Sequence, residues 1–195
     1  MKKSILSLAL VALLGLFMTG CTPEVVITGT EDIIVDLGAS DADVLANVVA
    51  SNGDEVTVTG INYDEAGEHN ATFTAGDVTE DAVVKIKTDK VIGSYEYTVT
   101  GDEEIYESEI TQSSTVYNKI LVGGIIEGNL EATCSGKILT FASTNLSFED
   151  GTSATLTGTG TFEKIEAGYQ VNSATFTLTF DDNSTEVMVY TFEKQ

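Results

Sequence analysis

Residues 174–180, ATFTLTF, give the clearest indication of the fold, because apolar and polar side chains alternate through them without interruption. Successive side chains of a β-strand point to opposite faces, so this alternation predicts a strand with one packed face and one solvated face. Residues 186–193 place Met188, Tyr190 and Phe192 on one face of a second strand, and Asp181-Asp182-Asn183 between the two runs is typical of a turn. The two runs therefore predict an antiparallel hairpin.

The same pattern extends outward from this hairpin back to residue 91. The predicted strands cover residues 94–100, 104–112, 115–122, 129–134, 137–142, 145–148, 153–163, 169–180 and 186–193. Alternating strands joined by short turns are typical of an antiparallel meander. About eight strands in sequential order favour a closed or nearly closed barrel, because closure removes exposed strand edges. Such a barrel either fills its interior with side chains or holds one small ligand, and the sequence leaves both alternatives open.

Three features of residues 91–195 carry a family resemblance. They are the Gly-Ser-Tyr start at residues 93–95, Gly-Thr-Gly-Thr-Phe at residues 158–162, and the threonine-rich strand at residues 174–180. In these features and in strand order, the region resembles the C-terminal domains of Bacteroidetes surface lipoproteins, some loosely described as lipocalin-like. The resemblance implies a surface protein, and a lipocalin-like unit would carry a small apolar ligand.

Residues 24–88 contain a separate set of shorter predicted strands, at residues 24–27, 32–37, 55–61, 69–74 and 82–88. Residues 43–49 fit either a single helical turn or an irregular crossing. A resemblance to a bacterial immunoglobulin-like domain is carried by residues 26–29, 33–38, 48–53, 56–60 and 64–77. Glu68-His69 stands where Thr-Tyr is usual in that group. The resemblance implies a Greek-key sandwich of about seven strands that serves as a spacer, adhesion unit or stalk, and it implies no chemistry.

Residues 1–23 have the pattern of an export signal. Lys2 and Lys3 give a positive start, residues 5–18 are mainly apolar, and small residues precede Cys21. The apolar run is shorter than the ~20 residues that a membrane span needs. Residues 17–21, Phe-Met-Thr-Gly-Cys, resemble the bacterial lipobox, with Met where Leu is most frequent. The resemblance implies cleavage between Gly20 and Cys21 and acyl chains such as palmitate on the Cys21 sulfur.

The lipobox predicts where the protein resides. Residues 1–20 are the predicted signal peptide and residues 21–23 a lipidated tether. Two or more acyl chains hold a protein stably at a membrane, because each buried CH₂ contributes about 0.8 kcal/mol. We therefore expect a membrane-anchored lipoprotein in the outer membrane or on the cell surface of a Gram-negative bacterium. The alternatives are a plain signal peptide with a chance cysteine and an uncleaved anchor.

The charge of the chain limits its partners. There are 31 acidic residues against 9 basic ones, all lysine, which gives a formal net charge of −22. Nucleic acid is not an expected partner, because phosphate binding needs a basic face. Calcium takes several oxygen ligands, so weak candidate sites are Asp41 with Asp43 and Asp181 with Asp182, the alternative being solvated acidic loops. No other metal and no cofactor is expected.

The side chains that carry chemistry are few. No phosphate-binding glycine loop, nucleophile elbow, zinc-protease motif or EF-hand string is present in the sequence. His69 is the only histidine, and we expect it at the surface or half-buried at a strand start. Cys134 alternates with Leu130 and Ala132, which predicts a buried small residue rather than a reactive thiol. Core packing or a sugar-stacking surface are the alternatives for Tyr95, Tyr97, Tyr106, Tyr117 and Tyr169.

Taken together, these patterns favour an all-β, non-catalytic surface lipoprotein that acts as a binding, adhesion or structural module. Its partner would be a glycan or a protein that the sequence does not name. The alternative is a lipocalin-like carrier of a small apolar ligand, held in residues 91–195. That alternative predicts free apolar volume inside the second unit.

Overall fold

The computed structural model describes residues 24–195, so the predicted signal peptide, the cleavage site and Cys21 lie outside the described residues. Within this range no helix has the length and apolar character that a membrane crossing requires. The strands of the first unit are β1 (Ile27–Thr28), β2 (Ile34–Val35), β3 (Val49–Ala50), β4 (Thr57–Thr59), β5 (Gly67–Ala75) and β6 (Val78–Ile86). A short helix α1 (Asp41–Val44) continues into a 3₁₀ turn (Leu45–Asn47), in agreement with the helical alternative for this segment.

These strands form two small sheets. β1 pairs with β3, and a second sheet has the order β2-β6-β5-β4, in which β2 runs parallel to β6. The resemblance implied roughly seven strands, whereas residues 24–88 form the six named above. β1 and β2 are only two residues long, because the chain turns at positive φ angles at Gly29 and Asp32. A β-carbon at Gly29 would lie 2.1 Å from the Asn47 carbonyl oxygen, so only glycine lets β1 pass this close to the 3₁₀ turn.

Residues 93–194 form a closed antiparallel barrel. Its strands are β7 (Gly93–Val99), β8 (Tyr106–Gln112), β9 (Lys119–Gly123), β10 (Asn129–Ser135), β11 (Ile138–Ser147), β12 (Ser153–Ile165), β13 (Gly168–Phe180) and β14 (Thr185–Lys194). Each strand pairs with the next along the chain, and β14 pairs with β7 to complete the closure. The predictions of an all-β chain and of an up-and-down barrel are confirmed.

One strand of the barrel differs from its prediction. The predicted runs at residues 137–142 and 145–148 belong to the single strand β11. The register of β11 against β12 shifts between Phe141 and Thr144, as at a β-bulge. An irregularity of this kind interrupts the period of two. The apolar pattern therefore breaks at this point although the strand continues.

The middle of the barrel is filled with inward-pointing side chains. Phe176 is fully buried, and its ring centroid lies 4.7 Å from that of Phe141 and 5.1 Å from that of Tyr190. Gly158 makes room for the Phe176 ring, because a β-carbon there would lie 2.5 Å from one of its carbons. Further buried side chains of the barrel belong to Tyr95, Ile110, Ile120, Leu130, Leu139, Phe162, Val171 and Phe192. Free volume for a ligand therefore has to lie toward an end of the barrel.

The two ends of the barrel differ in what covers them. Successive turns of an antiparallel meander alternate between the ends, which we call lower (residues 113–118, 136–137 and 166–167) and upper (residues 100–105, 124–128, 148–152 and 181–184). The first unit packs against the lower end. Ala66 and Gly136 exchange two backbone hydrogen bonds of 3.0 and 2.8 Å, and buried residues of both units belong to one core cluster. The upper end faces away from the first unit.

A carboxylate joins the two units at the lower end. Asp64 of the first unit accepts hydrogen bonds from the Tyr169 hydroxyl and from the Lys164 ammonium, the latter at 2.9 Å. The hydrogen bond from Tyr169, followed by that from Lys164, holds the pKa of Asp64 below its ordinary value. Solvent screens this contact, because the Asp64 side chain is 38 % exposed.

Replacing Asp64 by asparagine is expected to lower the free energy of unfolding at pH 7 by about 1 kcal/mol, because both hydrogen bonds lose a charged acceptor. The wild-type contribution is complete above about pH 4, the ordinary pKa range of an unfolded aspartate, and disappears as the pH falls through the lowered pKa of the folded state. Chemical denaturation of residues 22–195 between pH 7 and pH 2 measures this difference. Asp77→Asn, in the exposed β5–β6 turn, is the control, and an equal loss in both variants would contradict the role of Asp64.

Candidate ligand site

The upper rim of the barrel is uneven. Leu146 on β11 pairs with Ala154 on β12, which in turn pairs with Phe180 on β13. On the other side of the barrel, β14 pairs with β7 only from Tyr190 downward. Strands β11 to β14 therefore rise above the rest of the rim as a raised wall. Within residues 24–195, no strand lies opposite part of the inner face of this wall.

A cleft of about 570 Å³ lies between the raised wall and the β9–β10 loop. Leu156 and Leu178 form the buried part of its apolar surface, and Leu146 and Met188 are half-buried. The ring of Phe148 lines its outer edge and is 39 % exposed. Small-molecule sites typically measure roughly 300–1,000 Å³ and combine mainly apolar walls with a few polar groups. The cleft has the size and the lining of such a site.

Tyr190 lies at the bottom of the cleft. Its side chain is only 7 % exposed, and its hydroxyl donates to the Met188 sulfur at 3.7 Å. Burial, followed by the nearby Tyr97 and Glu186, raises the pKa of Tyr190, so the hydroxyl keeps its proton at neutral pH. Thioether sulfur is a weak acceptor. The hydroxyl is therefore available to exchange this contact for a hydrogen bond with a ligand.

The β9–β10 loop forms the opposite side of the cleft through Ile125 and Ile126. Two hydrogen bonds hold the start of the loop: the Ser108 hydroxyl donates to the Gly123 carbonyl at 2.7 Å, and the Tyr97 hydroxyl donates to the Gly124 carbonyl at 2.9 Å. These bonds position the two isoleucines against the raised wall. The sequence pattern predicts only a connection here, since the predicted strands end at residue 122 and resume at residue 129. Two adjacent isoleucines in a loop, where polar residues are usual, were the signal available.

The lining of the cleft is mainly apolar. Among the described residues that form it, Glu127 is the only charged one. These side chains can bury an apolar body and hydrogen-bond to it.

Comparisons of the chain with protein families, with curated proteins and with solved structures find no match. The three resemblances noted in the sequence therefore remain predictions, and the function is inferred from the geometry of the cleft.

The four calcium candidates lie in two separate places. Asp43 accepts from the backbone N–H and the hydroxyl of Ser40 at the start of α1, and Asp41 accepts from the Tyr63 hydroxyl at 2.7 Å. Asp181 and Asp182 lie in the β13–β14 turn, where they accept hydrogen bonds from serine side chains at 2.6 Å. Among residues 24–195, no three His, Cys, Asp or Glu side chains come together as a metal-binding group.

Cys134 and His69 occupy structural positions. Cys134 is fully buried inside the barrel, as its alternation with apolar residues predicted. Burial raises the pKa of the Cys134 thiol to about 12, so the thiol stays protonated at neutral pH and is a poor nucleophile. His69 is half-buried near the start of β5, and its Nε2 lies 3.0 Å from the Glu65 carbonyl oxygen.

The tyrosines pack mainly in the core. Tyr95, Tyr97 and Tyr169 are at most 6 % exposed, so they do not present ring faces to a sugar. The Tyr95 hydroxyl donates to the Val91 carbonyl at 2.6 Å, and the Tyr97 ring stacks on that of Tyr106 with a centroid distance of 5.3 Å. The sugar-stacking interpretation is therefore wrong for these three residues. Cross-strand packing accounts for them.

Proposed function

We propose that this protein is a lipid-anchored, non-catalytic binding module of the cell surface that takes up one small, largely apolar ligand at the upper end of its barrel. The cleft between the raised wall and Ile125–Ile126 carries this proposal, because it combines suitable volume with an apolar lining. The packed interior below Phe176 limits the ligand to the mouth. The ligand would thus be bound at the rim rather than enclosed in the barrel.

The arrangement of the two units supports the surface role. The predicted tether leads into the first unit at Glu24, and the first unit packs on the lower end of the barrel. The cleft lies at the upper end, away from the anchored side. We interpret the first unit as an immunoglobulin-like spacer that holds the mouth away from the membrane. An adhesion or purely structural role would not require an apolar cleft.

A single substitution in the wall of the cleft tests the proposal. Leu146→Gln replaces a half-buried apolar side chain with a polar one and leaves the net charge unchanged. We expect about tenfold weaker binding of a neutral apolar dye such as Nile red. The dye would lose its apolar contact with the leucine side chain, and the glutamine amide would have no hydrogen-bond partner on the dye side. Fluorescence titration of residues 22–195 measures the affinity.

The matched control is Val187→Gln, the same kind of change on β14 at a side chain that is 61 % exposed. This variant should bind the dye as the wild type does. Saturable binding with one dye per chain is expected for both. Absence of saturable binding to the wild type, or equal weakening by the two variants, would refute a ligand site in the mouth.

A further inference from the structure

The charges of the barrel are sorted between its two ends. The upper loops, residues 100–105, 124–128, 148–152 and 181–184, contain many aspartates and glutamates and no lysine. The lysines of the barrel, Lys119, Lys137, Lys164 and Lys194, all lie in its lower part. Two of them make contacts at the junction with the first unit, Lys164 with Asp64 and Lys194 with the Lys90 carbonyl. The charged side chains in the loops around the mouth are therefore all negative, and these loops surround an apolar cleft.

Two carboxylates lie next to the cleft itself. Glu127 lines it from the β9–β10 loop. Glu186 lies directly opposite Leu178 in the β13–β14 register, so its side chain lies on the same face of the raised wall. Glu186 is also close enough to contribute to the raised pKa of Tyr190. Neither carboxylate forms a salt bridge within residues 24–195.

Charge and apolar surface together define a class of ligand. An amphiphile with a negative head would meet repulsion from every loop around the mouth, whereas a positive head finds uncompensated carboxylates there. The Phe148 ring is 39 % exposed at the rim and can contact a cation. A metal ion fits less well, since no three ligating side chains come together in the described residues.

We propose, building on the ligand function above, that the mouth selects a small cationic amphiphile. Its apolar body occupies the cleft between the raised wall and Ile125–Ile126. Its amine or quaternary ammonium head lies at the rim that carries Glu127 and Glu186. The negative loops concentrate such molecules near the mouth and exclude fatty acids and other anionic lipids.

Three probes with the same twelve-carbon chain separate the contributions of head and body. Dodecyltrimethylammonium, dodecyl maltoside and dodecyl sulfate are titrated below their micelle concentrations against residues 22–195, which contain all the strands and their shared core. We expect the cation to bind at least tenfold more tightly than the anion at low salt, with the neutral probe between them. The difference should narrow in 0.5 M salt, because salt screens exposed charges.

The variant pair Glu127→Gln with Glu186→Gln should remove most of the preference for the cation over the neutral dodecyl maltoside. The control is Glu96→Gln with Glu193→Gln, which removes the same charge from an exposed cross-strand pair on the barrel wall. Equal affinity for all three head groups would overturn the proposal that the mouth selects cations, but it would still support a ligand site in the mouth. Failure of all three probes to bind would overturn the proposed function itself. Equal effects of the two variant pairs would overturn the role of Glu127 and Glu186.

Discussion

Replacing Phe176 by alanine is expected to lower the free energy of unfolding by about 3–5 kcal/mol, the largest loss that we anticipate for a single substitution. The Phe176 ring is fully buried and contacts the rings of Phe141 and Tyr190. It also fills the space over Gly158, which has no side chain of its own to fill the void. Strands fixed in a closed barrel relax little, so the cavity would remain.

Denaturant unfolding of residues 22–195, followed by circular dichroism or fluorescence, measures this loss. Phe148→Ala is the matched control, because that ring is 39 % exposed at the rim of the cleft. The free energy of unfolding of this control should fall by about 1 kcal/mol or less, since much of the Phe148 ring is in water in both the folded and the unfolded state. A loss below about 1.5 kcal/mol for Phe176→Ala would mean that the barrel centre collapses around the void, contrary to the packing described above.

Replacing Cys21 by alanine is expected to abolish membrane attachment altogether. The proposed anchor consists of acyl chains on the Cys21 sulfur and on the amine exposed by cleavage, and the loss of all chains removes the hydrophobic contribution that holds the protein at the bilayer. Labelling of cells with palmitate, followed by separation of membrane and soluble fractions, measures the effect. Wild type should carry label in the membrane fraction, and the variant should carry none.

Cys134→Ala provides the control from within the same chain. Cys134 is the other cysteine, and its thiol is buried inside the barrel, where no acyl chain can be attached. This variant should keep its label and its membrane location. Label that survives in Cys21→Ala, or a mature N-terminus at another residue, would contradict the lipobox interpretation.

The strands of the barrel were predictable because each is indicated by the alternation of neighbouring residues. Alternation through residues 174–180 assigns the upper half of β13, and Met188, Tyr190 and Phe192 assign β14; in both strands the predicted inward face is the more buried one. The sequence pattern did not show that β11 is a single strand. Its shift in register interrupts the alternation, so the one strand resembles two. The first unit was harder still, since two-residue strands such as β1 and β2 leave almost no periodic signal.

The candidate site could not be predicted, because its residues are distant in the sequence. Leu146 and Leu178 follow ordinary strand patterns, and the isoleucine pair at residues 125–126 marks an unusual loop without indicating what it packs against. Their assembly into one cleft depends on the height of each strand at the upper rim and on the position of the β9–β10 loop. Tyr97 and Ser108, which hold that loop, belong to other strands.

The all-β character, the strand order of the barrel and the acidic surface follow from the amino-acid sequence, because alternation and charge are properties of neighbouring residues along the chain. The resemblance to a lipobox, on which the proposed anchor rests, is local in the same way. That the first unit covers the lower end, that the middle is packed and that apolar volume remains at the upper end became visible only in three dimensions. Those properties depend on contacts between residues far apart in the chain, such as Asp64 with Lys164, and on how side chains share space inside a closed sheet.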